Sequence, residues 1–205
     1  GEQVRPHYFN IVAYSVMNCG TLGEALADFE RYQRLISEAA HLAFESEPDS
    51  ARIVYTPLEG STVFSRHQIE AVITIIAGFT QWLVGEAIRP KEITFTHPAP
   101  ASISEHERIF DCPILFSQNA NSILVESSWM NRPLPGADPQ IRKLHQAQAE
   151  QRLLELDDSP ITLRVFRRFE ASQRFTWSRE EMAKEMGLST RTLQRHLQQA
   201  QTSFK

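Results

Sequence analysis

The chain has few of the residues that mark secreted, membrane or metal-binding proteins. It contains only two cysteines, Cys19 and Cys112, which are far apart and match no metal-ligand spacing, so reduced thiols fit better than a disulfide. The longest apolar run, residues 69–84, is interrupted by four polar residues, which argues against a membrane span. Nothing resembles a signal peptide. We therefore expect a cytoplasmic protein with no membrane partner.

The sequence also lacks the motifs of common catalytic and nucleotide-binding sites. No serine lies in a Gly-x-Ser-x-Gly elbow, and no glycine-rich loop could cradle a phosphate. His97, Glu105, His106 and Glu107 form the only cluster of metal-ligand or acid–base residue types, without His-x₃-His or Cys-x₂-Cys spacing. We interpret this cluster as a solvated loop and helix face, with metal binding, catalysis and ligand contact as lesser alternatives. The sequence thus predicts no cofactor, no metal and no enzymatic activity.

Composition and charge indicate a soluble body with a basic C-terminal end. The 205 residues are 41% hydrophobic and 22% charged, which is ordinary for a globular protein with one sizeable core and a small appendage. Residues 160–205 contain nine Lys/Arg and four Asp/Glu (net +5), whereas residues 1–159 contain twelve and twenty-one (net −9). A basic module on an acidic body is expected when only the module meets phosphate, although chance imbalance is an alternative.

Helical and strand patterns alternate along residues 1–156. Helices are predicted after Thr21 and at His67–Trp82, Ser104–Phe110 and Asp138–Leu156, and strands at Ala40–Glu45, Arg52–Pro57, Glu92–Thr96, Ile114–Phe116 and Ile123–Glu126. The last two strands flank Asn119–Ser122 and are expected to pair as a hairpin. Residues 6–19 are an apolar stretch with no helix predicted before it. Short strands and hairpin-like turns favour an α+β domain with a largely antiparallel sheet and packed helices.

A helical segment is predicted after residue 156. Asp157-Asp-Ser-Pro160 marks the boundary, because Ser159 can cap a helix whose first residue is Pro160. We therefore expect a ligand-binding or dimerisation domain over residues 1–156, followed by an all-α segment over residues 157–205.

Residues 178–197 have the pattern of a helix-turn-helix. Ser178 and Glu181 form a capping box, Gly187 suits the turn, and Ser189 caps a second helix. The predicted apolar face comprises Met182, Met186, Leu188, Leu193 and Leu197. The opposite face of the second helix carries Thr190, Arg191, Gln194, Arg195 and Gln198. Arginine pairs with the major-groove edge of guanine and glutamine with that of adenine, so this face is suited to reading DNA. The alternative is an ordinary helical hairpin with a solvated polar face.

Two sets of motifs resemble one regulator family. Residues 182–204 resemble the first helix-turn-helix of the AraC/XylS transcription regulators, most specifically in Leu188-Ser-Thr-Arg-Thr-Leu-Gln-Arg195 and Thr202-Ser-Phe204. Gln201 stands where members usually have glycine, so a softer break is expected there. Four upstream motifs resemble the branch with an arabinose-binding-type N-terminal domain: Thr21-Leu-Gly-Glu-Ala-Leu26, Thr96-His-Pro-Ala-Pro100, Cys112-Pro-Ile-Leu-Phe116 and Asn131-Arg-Pro-Leu-Pro-Gly-Ala-Asp-Pro139. The resemblance covers nearly the whole chain.

The resemblance implies a ligand-responsive, DNA-binding transcription regulator with no cofactor. Its implied partners are double-stranded operator DNA, a small-molecule effector and RNA polymerase. The residues expected to contact DNA are Ser189, Thr190, Arg191, Thr192, Gln194 and Arg195. In similar regulators a second helix-turn-helix follows the first. Because this chain stops at Lys205, we expect a fragment that binds DNA poorly by itself.

Several alternatives stay open at the level of sequence. The C-terminal helices could serve only to assemble partners of an enzyme or a ligand-binding protein, or the N-terminal domain could bind a regulatory protein. Asp138–Leu156 could be a homodimer seam or a helix packed on its own domain. Aromatic residues that could line a small-molecule pocket, although such residues are usually core, are Phe9, Tyr14, Phe29, Tyr32, Trp82, Phe95 and Phe116.

Overall fold

A computed structural model describes residues 10–58, 64–157, 161–172, 177–200 and 202–204. The helices are α1 Asn10–Met17, α2 Leu22–Tyr32, α3 Arg66–Val84, α4 Ser104–Phe110, α5 Pro139–Asp157, α6 Ile161–Ser172, α7 Arg179–Glu185 and α8 Thr190–Gln199. The strands are β1 Ala40–Ser46, β2 Ser50–Pro57, β3 Glu92–Thr94, β4 Ile114–Leu115 and β5 Asn121–Glu126. These elements confirm the predicted α+β class. No helix in the described ranges combines the length and apolarity needed to cross a bilayer.

The five strands form one sheet in the order β1-β2-β5-β3-β4. All neighbours are antiparallel except β3 and β4, so the largely antiparallel sheet is also confirmed. The predicted hairpin between Ile114–Phe116 and Ile123–Glu126 is wrong, because β4 and β5 lie on opposite sides of β3. Four of the first five β5 residues are buried, and two of these, Asn121 and Ser122, hydrogen-bond Thr96 and Thr94. A strand with buried residues on both faces is more stable in the middle of the sheet than in an edge hairpin.

The turn after β4 explains how the chain reaches the other side of β3. Ser117 has a positive φ of 56°, and its amide donates to the carbonyl of His97 at 3.0 Å. The Gln118 amide then donates to the carbonyl of Phe95 at 2.9 Å. These bonds fold the connection across the end of β3. The predicted strand Glu92–Thr96 is two residues shorter, because the Asn121 side chain accepts the Thr96 amide at 3.0 Å.

The inner face of the sheet is a row of apolar side chains in register. Paired positions are Phe44 with Ile53, Ile53 with Ile123, Ile123 with Ile93, and Ile93 with Ile114. The other face is more polar: the Arg52 guanidinium donates to Ser122 at 2.7 Å, and Ser122 hydrogen-bonds Thr94 at 2.8 Å. Because only one face of the sheet is apolar, we expect the helices to pack on that face. Helices α2 and α3 contact the sheet there through the main core.

Helix α3 is the long central helix that its apolar pattern predicted, and it extends slightly beyond His67–Trp82 at both ends. Ser65 and Gln68 cap its start with a reciprocal capping box. Gly85, with φ of 74°, ends the helix in the left-handed conformation that glycine adopts without strain. Ile69, Ile73 and Leu83 are buried on its inner side. Its neighbouring half-buried positions remain available to line a cavity.

A buried carboxylate joins three helices at the opposite end of the core. Asp28 in α2 is 6% exposed and accepts hydrogen bonds from Ser15 of α1 at 3.1 Å and from Gln146 of α5 at 3.0 Å. Arg142 of α5 donates to both Asp28 oxygens at 3.1 Å through Nε and Nη2, and it also pairs with Glu24. Such a fork between guanidinium and carboxylate is among the stronger polar contacts in proteins.

Two further contacts belong to the same helical layer. Burial raises the pKa of the Cys19 thiol, which therefore stays protonated and donates to Asp28 Oδ2 at 3.4 Å. Burial, reinforced by a hydrogen bond to Glu150, raises the pKa of Tyr32 to about 12. The Tyr32 hydroxyl donates to Glu150 at 2.8 Å. Both groups are neutral donors to carboxylates near neutral pH.

Helix α5 packs on its own domain through the Arg142 side, and the apolar stretch over residues 6–19 contributes the helix α1 beneath it. The outer side of α5 exposes Ile141, Leu144 and Leu154, so a homodimer seam on that side stays a prediction. The predicted helix start at Ser159 and Pro160 lies outside the described residues, as do Phe9 and Gln201.

Candidate nucleic-acid interface and effector cavity

Helices α7 and α8 form a helix-turn-helix with the predicted caps. The Glu181 amide donates to Ser178 Oγ at 3.2 Å, and the Glu181 carboxylate accepts the Ser178 amide at 2.7 Å. Gly187 has a positive φ of 64°, and the amide of Leu188 donates to the carbonyl of Ala183 at 2.8 Å. Hydrogen-bonded ends and a left-handed glycine give the turn a defined geometry. The orientation of α8 is therefore fixed locally.

A small apolar core holds these helices against α6. Its buried members are Ile161, Val165, Trp177, Met182, Ala183, Leu193 and Leu197. Met186, Leu188, Phe169 and Phe204 pack around it, and the rings of Phe169 and Phe204 stack at 5.8 Å. The apolar face predicted from the sequence is thus the buried face. Because Leu193 and Leu197 are buried, the opposite side of α8 faces solvent.

We expect Leu193→Ala to unfold the α6–α8 core selectively. Leu193 is fully buried, and removal of a buried leucine side chain costs about 2–5 kcal/mol, a large loss for so small a core. Urea denaturation followed by tryptophan fluorescence measures the effect, with Trp82 and Trp129 replaced by phenylalanine in all the chains compared, so that buried Trp177 gives the signal. Leu163→Ala, at a leucine 41% exposed on α6, is the matched control and should change stability by less than about 0.5 kcal/mol. Equal effects of the two variants would contradict the packing described.

The six residues predicted to contact DNA have two different structural roles. Ser189 accepts the Thr192 amide at 3.1 Å, and their hydroxyls are 2.8 Å apart, so this pair caps α8. Thr190 is half-buried. Arg191, Gln194 and Arg195 are exposed on the side opposite Leu193. The structure therefore brings three long polar side chains together on one accessible face of a helix that Ser189 and Thr192 cap.

Sequence reasoning missed one neighbour of this face. Arg179, the first residue of α7, directs Nη1 towards Gln194 Oε1 at 3.4 Å and pairs with Glu180 at 3.4 Å. Arg179 lies at the start of α7, and its side chain comes close to α8 only when the two helices are packed together. A charged residue directly after the Ser178 cap was the available signal.

A separate cavity of about 290 Å³ lies between α2, α3 and the β1–β2 end of the sheet. Its walls include Phe29, Ile36, Tyr55, Phe64 and Phe79, and none of its described lining residues is charged. Concave apolar sites of this size are where small molecules bind in proteins. The cavity is therefore the best-formed candidate for an effector site in the described part of the chain.

The aromatic residues considered for such a pocket divide accordingly. Phe29 lines the cavity, whereas Tyr32 is buried against Glu150. Tyr14 and Trp82 are 46% and 48% exposed. The apolar neighbours Tyr55, Phe64 and Phe79, which were not singled out in the sequence, contribute the aromatic surface instead, because it forms only when β2 and α3 meet.

The interpretation of His97 and His106 as solvated was wrong. Their side chains are 11% and 13% exposed and surround Glu70 of α3. His106 Nε2 lies 2.9 Å from Glu70 Oε1, and His97 Nε2 lies 3.5 Å from the same oxygen. The rings of Phe95 and Phe116 pack against both imidazoles. These aromatic rings exclude water from a region that looked polar in the sequence.

The geometry of this cluster is that of a packing contact. Glu105 and Glu107 of the same predicted group are exposed on α4, as expected. Because both imidazoles face one carboxylate oxygen, that oxygen occupies the point at which a shared ligand would lie. In the ranges that the structure describes, no group of three or more His, Cys, Asp or Glu residues could hold a metal ion.

Comparison with known proteins decides the family. Residues 1–134 match the family described as the arabinose-binding domain of AraC transcription regulators, N-terminal. This match covers more than half of the chain. The chain belongs to the AraC family. The AraC-type chain is 26% identical to the ornithine utilization regulator of Pseudomonas aeruginosa, with 100% of the chain and 61% of the relative covered.

A solved structure shares the fold of this AraC-type chain. The crystal structure of the transcriptional regulator CdpR from Pseudomonas aeruginosa superposes with a TM-score of 0.62 at 15% identity, covering 98% of this chain and 66% of that one. The chain thus spans 61% and 66% of the lengths of these two proteins. Both carry the name of a regulator.

Proposed function

We propose that this protein is a ligand-responsive transcription regulator that reads the DNA major groove through α8. In this proposal residues 1–156 hold the effector-binding domain and residues 157–205 the first DNA-binding unit. The observation that carries it is the exposed face of Arg191, Gln194 and Arg195, opposite buried Leu193 on a capped helix. Arginine and glutamine make paired hydrogen bonds to guanine and adenine edges, respectively. The basic charge of the C-terminal segment favours phosphate in addition.

One side chain supports communication between the two parts. Arg168 of α6 is 19% exposed and donates to the backbone carbonyl of Glu38 at 2.7 Å. Its Nη1 also lies 3.5 Å from Glu185 of α7. Ile36 and Ala40, on either side of Glu38, line the apolar cavity. A shift of this segment on ligand binding would therefore act on a residue that contacts the helix-turn-helix.

The proposed effector is a small molecule that is bound without chemical conversion. The names of the family and of the relative point to arabinose and ornithine as two candidate classes. No nucleophile, base and orienting group come together around the cavity among the described residues, which supports binding over catalysis. Operator DNA and RNA polymerase are the proposed macromolecular partners, and the cytoplasm is the proposed location.

Selection from a random duplex library at low salt tests the proposal. We expect the chain to enrich one sequence motif, and we expect Gln194→Ala to relax the preference at one base pair, since a lost base contact costs about 1–3 kcal/mol of discrimination. Gln148→Ala, at an exposed glutamine of α5, is the control and should leave the motif unchanged. A folded Arg191→Ala/Gln194→Ala/Arg195→Ala variant that footprints the selected site normally would overturn the assignment and favour C-terminal helices used only for assembly.

A further inference from the structure

The cavity between α2, α3 and β1–β2 has a more specific chemistry than its size suggests. Of the seventeen described residues that line it, only Gln33, Ser37 and Thr80 are polar apart from Tyr55, and no charged side chain is among these seventeen. These residues come from helices α1, α2 and α3, strands β1 and β2, the turn at Gln33–Leu35 with the residues after it, and Phe64 before α3. The apolar surface is therefore built by the tertiary fold.

The side chains of Gln33, Ser37 and Thr80 all form hydrogen bonds with backbone groups. Gln33 Nε2 donates to the carbonyls of Glu30 and Leu42 at 2.8 and 2.9 Å, and its Oε1 accepts the Leu42 amide at 2.5 Å. The Thr80 hydroxyl donates to the Ile76 carbonyl at 2.8 Å. Ser37 Oγ accepts the Ala39 amide at 3.1 Å. Gln33 would have to break its donor bonds to donate to a ligand, whereas the Ser37 hydroxyl could still donate one hydrogen bond and the Thr80 oxygen could still accept one.

Tyr55 is the exception. Its side chain lines the cavity and is 8% exposed, and the Phe64 ring meets it edge to face at 6.4 Å. Among the described residues its hydroxyl makes no hydrogen bond. Burial raises the pKa of this phenol, so it is present as a neutral hydroxyl. Tyr55 is therefore the one polar side chain of the described lining whose hydrogen-bonding capacity is wholly unused.

The geometry points to an apolar effector that carries one hydroxyl, carbonyl or carboxyl group directed at Tyr55. This inference rests on the proposed function, whose effector class it names. A cavity of about 150 Å³ holds benzene, so about 290 Å³ suits an aliphatic or aromatic molecule of about twelve non-hydrogen atoms.

The same walls exclude the two polar classes considered above. Each hydroxyl of a pentose that enters the cavity would lose its hydrogen bonds to water, and the few polar groups of the described lining could replace only some of them. The ammonium groups of a diamino acid would find no carboxylate in the lining. Both compounds should therefore fail to bind here.

Equilibrium dialysis of the chain with 2-naphthol and naphthalene tests this inference, because the two probes share a ten-carbon skeleton and differ by one hydroxyl. We expect 1:1 binding of both, with 2-naphthol tighter by about fivefold, the worth of one net hydrogen bond. Tyr55→Phe should remove that difference and leave naphthalene binding within about twofold.

Two matched valine substitutions locate the site. Val72→Phe places a ring in the cavity and should weaken both probes by about tenfold or more, whereas Val54→Phe adds the same ring on the opposite face of β2 and should leave them within about twofold. Circular dichroism checks folding. If Val72→Phe unfolds the chain, the Tyr55→Phe variant decides, because it should bind 2-naphthol no more tightly than naphthalene.

The outcomes separate this inference from the proposed function. Failure of both probes to bind, or saturable binding of the pentose or the diamino acid that Val72→Phe abolishes, would overturn the apolar effector even if motif selection succeeds. The expected probe pattern in a chain that enriches no DNA motif would uphold the inference about the cavity and defeat the regulator proposal.

Discussion

Asp28→Asn should lower the free energy of unfolding by about 3 kcal/mol. The substitution keeps the shape of the side chain but removes the charge that Arg142 meets with two hydrogen bonds at 3.1 Å. Breaking a buried ion pair from one side costs about 3–5 kcal/mol, because the remaining charge stays partly buried without its partner. We take the lower end of that range, since Arg142 keeps its contact with Glu24 and its side chain is 23% exposed.

The control is the same substitution at an exposed ion pair. Asp111 pairs with Arg89 at 3.1 Å, but the two side chains are 71% and 80% exposed. Asparagine also tolerates the positive φ of 47° at this position. Surface pairs contribute about 0–1 kcal/mol, so Asp111→Asn should stay within that range in the same urea titration. Similar losses at both sites would show that the carboxylate does not join α1, α2 and α5 as described.

The Arg191→Ala/Arg195→Ala double variant should bind a selected duplex about 30-fold or more weakly. Each arginine contact to a base edge is worth about 1–3 kcal/mol, and two such losses multiply. Both side chains are exposed and point away from Leu193, so the melting temperature should not change. Fluorescence anisotropy with labelled duplex at constant salt measures the affinity.

Charge alone could produce part of this loss. Arg89→Ala/Arg108→Ala therefore serves as a control of equal charge, since both arginines lie outside helices α6–α8 and their side chains are 80% and 56% exposed. We expect it to change affinity by less than about threefold, because exposed charges far from the duplex are screened. Equal losses in the two double variants would mean that α8 contributes only charge.

The features predicted correctly from the sequence are those that depend on nearby residues. The caps at Ser178 and Ser189, the left-handed Gly187 and the stripe of Leu193 and Leu197 all involve partners within four positions. Such interactions specify a helix and its buried side almost independently of the rest of the chain. The apolar face of the helix-turn-helix was correct for this reason.

The errors involve partners that are distant in the chain. Strand β5 lies between β2 and β3 because most of its residues are buried, as in a central strand. The hairpin prediction considered only strands that follow one another in the chain. His97 and His106 become buried because α3 supplies Glu70 from more than twenty-five positions away. The bonds between Asp28 and Arg142 span 114 positions. No pattern within a short window contains such pairs.

The apolar cavity between α2, α3 and β1–β2 could not be predicted from the sequence for the same reason. Tyr55 and Phe79 face one space only after β2 and α3 pack together. Aromatic residues at those positions are usually core, and the sequence does not show that the core leaves a gap of about 290 Å³ there.

The most direct test of major-groove reading is a cycle between arginine and guanine. In each selected duplex, guanines are replaced one at a time by 7-deazaguanine, which lacks the N7 acceptor that arginine contacts. Affinities are measured for the unchanged chain, Arg191→Ala and Arg195→Ala. We predict that at one guanine the replacement lowers the affinity of the unchanged chain by about fivefold or more, the cost of one lost hydrogen bond. At that guanine the replacement should not lower the affinity of one of the two arginine variants any further. If the free-energy costs of the guanine replacement and the arginine substitution are additive at every guanine, for both arginines, the proposed contact between arginine and guanine is contradicted.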